Sequence, residues 1–442
     1  MNKRALFAFF LCFSVAGLSC VVTAPATPGG DPVGSAVAAT QTGQTGGTDT
    51  QAPPAPTSET PVLPATPEPA CQPVHPGPQV LPLPAGLAAG WNQVTSLKDL
   101  QGNVLSARTT ADMTFPRSDM VHLAGSLSLG AANLPIVYYT LDSGGYLRSN
   151  SAGLASDVAP AADLISLTGA EGQSFLAYVT LDMMNQSTNR MYAGEPADLQ
   201  GAQPVLTWIP PQNGSFGNAL HPLAVHTSGS GNGIWYTYTL HGIGDIHFPP
   251  YNGLHYLDLA SLQSTEFLDS SNALGGMSPD QTMVAYGAGQ GGTPGFIQGG
   301  VTLRNLVSCQ ETYIPFNPAS NLGGGWMVFS PDNQFIAWTE AGGPNNMAAT
   351  FRLRVARTDG TSMVDSPIIN MASLFGGEAP DNLRPVGWIA DHILVLESYL
   401  HVVERYVLAA WAPDPAQPID PILGANQSFP IADGAFLGFI YP

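Results

Sequence analysis

From residue 91 onward the chain alternates short apolar runs, rich in β-branched and aromatic residues, with clusters of Gly, Asn, Asp and Pro. No stretch keeps a helical period for long, so the pattern predicts strands and turns throughout. Runs of like character begin at Ile136, Phe175, Ile234, Met283, Phe335 and Ile393, and Phe439-Ile440-Tyr441 is a seventh. The intervals between them are 39, 59, 49, 52, 58 and 46 residues. Repeats of that length suit four-stranded sheets joined by variable loops and arranged radially, as in propeller blades. The expectation is an all-β fold: a single β-propeller of six or seven four-stranded blades over residues 91–442. The last run leaves room for one strand only. The remaining strands of its blade are therefore expected near the start of the domain, about Val94 to Leu129, which would close the ring.

Two copies of the repeat preserve more than hydrophobicity. Gly276-Met277-Ser278-Pro279-Asp280 leads into Met283-Val284-Ala285-Tyr286, and Phe329-Ser330-Pro331-Asp332 leads into Phe335-Ile336-Ala337-Trp338. Pro fixes φ and Asp accepts backbone hydrogen bonds, so Ser278, Pro279 and Asp280, like Ser330, Pro331 and Asp332, are expected to turn one strand into the next. A degraded copy is Gly387-Trp388-Ile389-Ala390-Asp391. These motifs resemble the TolB-like family of β-propeller repeats, whose blades carry Ser-Pro-Asp-Gly before an Ile-Ala-Phe type of strand. Gln281 and Asn333 stand here where that glycine is usual. The resemblance implies protein partners, met over the loop-bearing face or the central channel.

Ahead of the repeats, Met1 to Arg4 is followed by an apolar run from Ala5 to Leu18 and then by Ser19 and Cys20, the order of a secretory signal. The run is shorter than the roughly 20 residues a helix needs to span a bilayer. Gly17-Leu18-Ser19-Cys20 resembles the bacterial lipobox, which implies that Cys20 is lipidated and becomes the mature N-terminus. Cleavage near Ala24 or Ala26 is the alternative and leaves a free secreted protein. Residues 21–90 hold 15 of the 40 prolines among Thr, Ala, Gln and Gly, a composition that cannot build a core. Residues 1–20 are thus read as the leader, 21–90 as a disordered Thr/Pro/Gly-rich linker and 91–442 as the propeller.

Charge narrows the partners. The chain of 442 residues carries 13 basic and 32 acidic side chains, a net charge of −19, and its single lysine after the leader is Lys98. No basic stripe is present to meet phosphates, which excludes nucleic acid and anionic lipid as recognised ligands. Contact with a membrane is expected through the lipid anchor alone. Of the four cysteines, Cys12 lies in the leader and Cys20 is the lipid candidate, so Cys71 and Cys309 remain. A disulfide between them would pin the end of the linker to the domain in an oxidising compartment.

Motifs for catalysis are scarce. Gly-x-Ser-x-Gly, HExxH, P-loop and EF-hand patterns are absent, and no cofactor is called for. His241, Asp245, His247 and His255 form the one cluster whose residue types suit a divalent metal, although their spacing matches no known site. Arginines alternate with apolar residues through 351–357 and are expected on the outward face of a strand. Trp208, Trp235, Trp326, Trp338 and Trp388 are expected between blades. These observations favour a binding or scaffold module, exported to the cell envelope or surface, with an envelope or extracellular protein as partner. The alternative is a propeller enzyme, or a metal- or carbohydrate-binding protein, using the loop face.

Overall fold

The computed structural model describes residues 71–79, 86–91, 94–99, 104–109, 138–141, 145–151, 154–169, 175–185, 187–211, 219–228, 231–240, 251–290, 293–343, 350–366, 384–389, 393–400, 405–413, 420–421 and 435–440. All regular structure among them is β-strand, organised as seven blades of antiparallel sheet. Blade 1 contains β1 (Gly86–Trp91), β2 (Val94–Asp99) and β3 (Val104–Thr109). Blade 2 contains β4 (Tyr138–Leu141), β5 (Tyr146–Ser151) and β6 (Leu154–Pro160), and blade 3 contains β7 (Leu164–Gly169), β8 (Leu176–Asp182), β9 (Thr188–Gly194) and β10 (Leu206–Trp208). Blade 4 is formed by β11 (Ala219–Ser228), β12 (Gly231–Thr239), β13 (Asn252–Asp258) and the first part of β14 (Gln263–Met277).

The long β14 serves two blades. Gln263 to Leu268 pairs with β13, and after a break in register Asn272 to Met277 pairs with β15 (Met283–Gln290) to begin blade 5. The short β16 (Thr293–Ile297) follows and reaches across to the next blade, and β17 (Gly300–Asn305) and β18 (Glu311–Pro315) complete blade 5. Blade 6 is β19 (Gly323–Phe329), β20 (Phe335–Gly342), β21 (Thr350–Arg357) and β22 (Met363–Asp365). Blade 7 is β23 (Arg384–Ile389), β24 (Ile393–Leu400), β25 (Arg405–Trp411) and β26 (Asp420–Pro421).

The final strand, β27 (Ala435–Ile440), returns to blade 1 and pairs with β1, with Leu87 opposite Phe439 and Gly90 opposite Ala435. First and last parts of the chain therefore share one sheet in the order β27-β1-β2-β3, closing the ring without a covalent bond. The strands that complete this sheet begin at Gly86, not at Val94, and so take in residues read from composition as linker. Small residues explain the difference: Gly86-Leu87-Ala88-Ala89-Gly90 lacks the β-branched signature of a strand, yet Leu87 is fully buried.

Core residues sort by pairs of neighbouring blades. One cluster joins Leu353 and Val355 of blade 6 to Leu394, Leu396 and Trp411 of blade 7. Another joins Val301 and Ile314 of blade 5 to Ile336 and Trp338 of blade 6, and similar clusters lie between blades 2 and 3, 3 and 4, and 4 and 5. Blades 3 to 6 are thus covered on both faces, which is why their strands read as nearly continuous apolar runs. Trp235, Trp338 and Trp388 are buried between blades as expected, and Trp208 and Trp326 pack partly buried against the same clusters. Inner strands approach closely: a Cβ on Gly276 would meet the Met327 carbonyl oxygen at 2.2 Å, so only glycine permits β14 and β19 to pack as they do.

Candidate functional site

Both Ser-Pro-Asp motifs build the turn expected of them. Ser278 Oγ donates to Asp280 Oδ1 (2.7 Å) while accepting from the Met283 backbone N (2.9 Å), and Asp280 also accepts from the Thr282 N (3.0 Å). In the second copy Ser330 Oγ donates to Asp332 (2.5 Å) and accepts from Phe335 N (2.9 Å), and Asp332 accepts from Gln334 N (3.0 Å). Pro279 and Pro331 occupy the first turn positions, where no backbone donor is needed. The residue after each Asp adopts a left-handed conformation, φ +63° at Gln281 and +58° at Asn333. That conformation accounts for the glycine of the resembled repeats. Asparagine tolerates it, and glutamine holds it at a cost of about 1 kcal/mol.

Gln281 is retained by what its side chain does. It is 4% exposed, its Oε1 accepts from Trp235 Nε1 (3.0 Å), and its Nε2 donates to the Val225 carbonyl (3.0 Å). An indole N–H can only donate, which fixes the amide's orientation. His226 therefore donates to the same Oε1 from Nδ1, at 2.7 Å. Gln281 thus locks the turn of blade 5 onto β11 and β12 of blade 4. Tyr256 stands over this group, 4.9 Å from the Trp235 ring, and its phenol lies where a Cβ on Gly233 would be.

A third partner comes from the stretch read as linker. Residues 71–79 lie along this end of blades 4 and 5. Cys71 is disulfide-bonded to Cys309 in the turn between β17 and β18, with a Cα–Cα distance of 5.3 Å. His75 stacks on Trp235 at 5.7 Å and donates from Nε2 to the Gln281 carbonyl (2.7 Å), its Nδ1 accepting from Gly77 N (2.9 Å). Burial is the largest cause of a lowered His75 pKa, which keeps the ring neutral for this pattern. Gln79 completes the docking, its N donating to the Asp280 carbonyl (2.8 Å) and its side-chain amide pairing with the backbone N and Oγ1 of Thr227 (3.2 and 3.4 Å). Composition hid this segment, because its anchors are one imidazole and one amide among prolines.

The opposite end of blade 4 carries the connection between β12 and β13. His241, Asp245 and His247 belong to it and lie outside the described residues, as does Cys20. His255 lies within β13, 7% exposed, stacked on Tyr236 at 5.1 Å and edge-on to Tyr238 at 4.9 Å. Its Nε2 has no hydrogen-bond partner among the described residues, and burial, partly opposed by Asp269, pushes its pKa down to about 4. Those surroundings are an aromatic layer between blades 3 and 4. No group of three or more His, Cys, Asp or Glu that could hold a metal occurs among the described residues.

Of the arginines in 351–357, Arg354 departs from expectation. Arg354 is 6% exposed, not outward-facing: it pairs with Glu340 (2.7 Å) and Asp365 (2.7 Å), donates to the Pro315 carbonyl of blade 5 (3.0 Å) and contacts the Met363 sulfur. Glu340 also accepts from Trp338 Nε1 (2.9 Å), Asn317 N (3.0 Å) and Ser320 Oγ (2.7 Å). Arg354 lies where blades 5 and 6 meet, so its charge is buried with a paired carboxylate, whereas Arg352 and Arg357 stay partly exposed beside Asp365 and Asp359. Glu397 does comparable work in blade 7, accepting from Arg384 and from Phe436 N (2.6 Å) in the closing strand, while Arg384 sits 4.8 Å over Trp326 of blade 6.

No protein-family model matches the chain, and no curated protein matches it in sequence. Solved structures with a similar fold include TolB from Acinetobacter baumannii, at 12% identity over 75% of this chain and 77% of that one, with a TM-score of 0.36. The oligogalacturonate lyase from Vibrio parahaemolyticus is similar at 8% identity over 73% and 95% of the two chains, TM-score 0.41. A prolyl endopeptidase is similar at 12% identity over 80% of this chain and 50% of its own, TM-score 0.44. Likeness at this level concerns the fold alone, and function must come from the site. Among the described residues, no helix is long and apolar enough to cross a membrane.

Proposed function

We propose that the chain is an exported cell-envelope protein, lipid-anchored through Cys20, whose propeller is a binding or scaffold module for an envelope or extracellular protein. The observation that carries this reading is the fastening of residues 71–79 to one end of blades 4 and 5 by the Cys71–Cys309 disulfide, His75 and Gln79. A disulfide suits an oxidising compartment outside the cytoplasm. A chain held from this end presents the opposite end, with its strand-connecting loops, to partners, the arrangement loops on rigid scaffolds commonly serve. The leader ending at Cys20 and the resemblance to TolB-like repeats support the same reading.

Intact mass and membrane fractionation of wild type and Cys20→Ala, produced in a bacterial host, test it. A mature mass beginning at Cys20 with added acyl chains, lost in the variant, is expected. An unmodified mass beginning near Ala24 to Thr27 would instead make the protein freely secreted.

A further inference from the structure

We infer that the Cys71–Cys309 disulfide is a strain relief for the ring closure: tension on the chain upstream of residue 71 enters the propeller at blade 5 and bypasses β1. Its use in the cell rests on the anchored reading above; the mechanical property does not.

The geometry sets two routes into the domain. Along the chain, residues 71–79 lead to β1, and β1 is the strand that pairs with β27 to close the ring. A pull transmitted that way would strip His75 and Gln79 from their partners and then act directly on the closing pair. Through the disulfide, the pull passes to Cys309 instead. Cys309 sits in a turn bonded inward at several points: its N donates to the Asn305 carbonyl (2.8 Å), Val307 N and Ser308 N donate to Asn305 Oδ1 (both 2.9 Å), and Leu306 N donates to the Thr282 carbonyl (2.7 Å). The turn joins β17 and β18, and β17 is paired on both sides, with β15 and with β18. β18, which begins two residues beyond Cys309, is the outer strand of blade 5 and pairs with β17, so force arriving there loads the β17–β18 pair and leaves the closing pair of β1 and β27 unloaded. His75 and Gln79, just downstream of the bond, carry none of it and remain docked.

Force spectroscopy of the folded chain tests this, with one handle upstream of Cys71 and the other on an azide-bearing residue replacing the exposed Thr361 of blade 6. The protein is pulled oxidised and after reduction with dithiothreitol, with circular dichroism confirming that the reduced chain is still folded. The path lengths differ by the 238 residues between the cysteines, roughly 800 Å of extended chain. The oxidised protein is expected to rupture first at higher force and to release that much less length. In the reduced protein the first event is expected at lower force, followed by extension through β1. Cys71→Ser with Cys309→Ser should reproduce the reduced behaviour. Equal first-rupture forces in both redox states, or the absence of free-thiol gain on reduction, would overturn the inference. Failure of lipidation at Cys20 would leave the force result unchanged and would count against the anchored reading alone.

Discussion

The Nε2 of His75 donates to the backbone carbonyl of Gln281 across 2.7 Å and 206 residues of sequence. That carbonyl is oriented by the left-handed φ of Gln281, and the Gln281 side chain meanwhile holds Trp235 and His226. One residue therefore couples the N-terminal segment to two blades.

Glycine at the two left-handed positions is expected to act with opposite sign. Gln281→Gly relieves about 1 kcal/mol of backbone cost but strands the Trp235 and His226 donors and the Val225 carbonyl, at about 1–3 kcal/mol each. A net loss of about 2–8 kcal/mol should show as a lower urea midpoint. Asn333 has a buried Oδ1 without a partner among the described residues. Asn333→Gly should therefore be neutral or stabilise by up to about 1 kcal/mol. Equal shifts in the two variants would contradict this account of Gln281.

Stability is expected to fall with acidity in a window set by histidine. His75 and His255 have lowered pKa values, His255 about 4, so between pH 6.5 and 4 the unfolded chain binds protons that the folded chain does not. Their contribution is complete above pH 6.5 and is lost as pH falls toward the folded values. For His255 the full effect is on the order of 3 kcal/mol. Asp258 and Asp269, lowered by hydrogen bonds from Ser261 and Ser271, lose theirs lower still. Urea midpoints at pH 7, 5.5 and 4.5 should decline in wild type, and less steeply in His255→Phe.

Breaking the buried pair of blade 6 should be costly. In Glu340→Gln one carboxylate oxygen becomes an NH2 group facing donors, and Arg354 loses a charged partner while 6% exposed. A loss of about 3–5 kcal/mol is expected, read from thermal unfolding. A midpoint within a degree of wild type would mean that Asp365 and the Pro315 carbonyl satisfy Arg354 unaided.

Deleting residues 433–442 removes β27, leaves β1 unpaired on one side and takes from Glu397 its Phe436 donor. The whole domain should then unfold in one transition at a lower midpoint. A truncated protein that melts with wild type would show that the closure is not needed for stability.

Repetition and turn chemistry were legible because they are local. Ser278 and Ser330 make the same bonds within five residues, and a tyrosine or tryptophan within the second strand recurs as Tyr178, Tyr236, Tyr286 and Trp338. The blade count, left at six or seven, required the pairing of β27 with β1. The strand at 86–91 was missed because alanine and glycine carry no strand signal, and the docking of His75 and Gln79 because their partners lie in blades 4 and 5.

The sequence by itself determined the all-β class, the spacing of the blades and the turns that start them, since these follow from periods and short-range hydrogen bonds. It also isolated Cys71 and Cys309 as the pair available for a bond. Only the tertiary structure decided that Gln281 serves as a junction, that Arg354 is buried with Glu340 and that residues 71–79 belong to the folded domain. Each of these depends on desolvation by a neighbouring blade, and which blade adjoins which side chain is a property of the closed ring, not of any window of sequence.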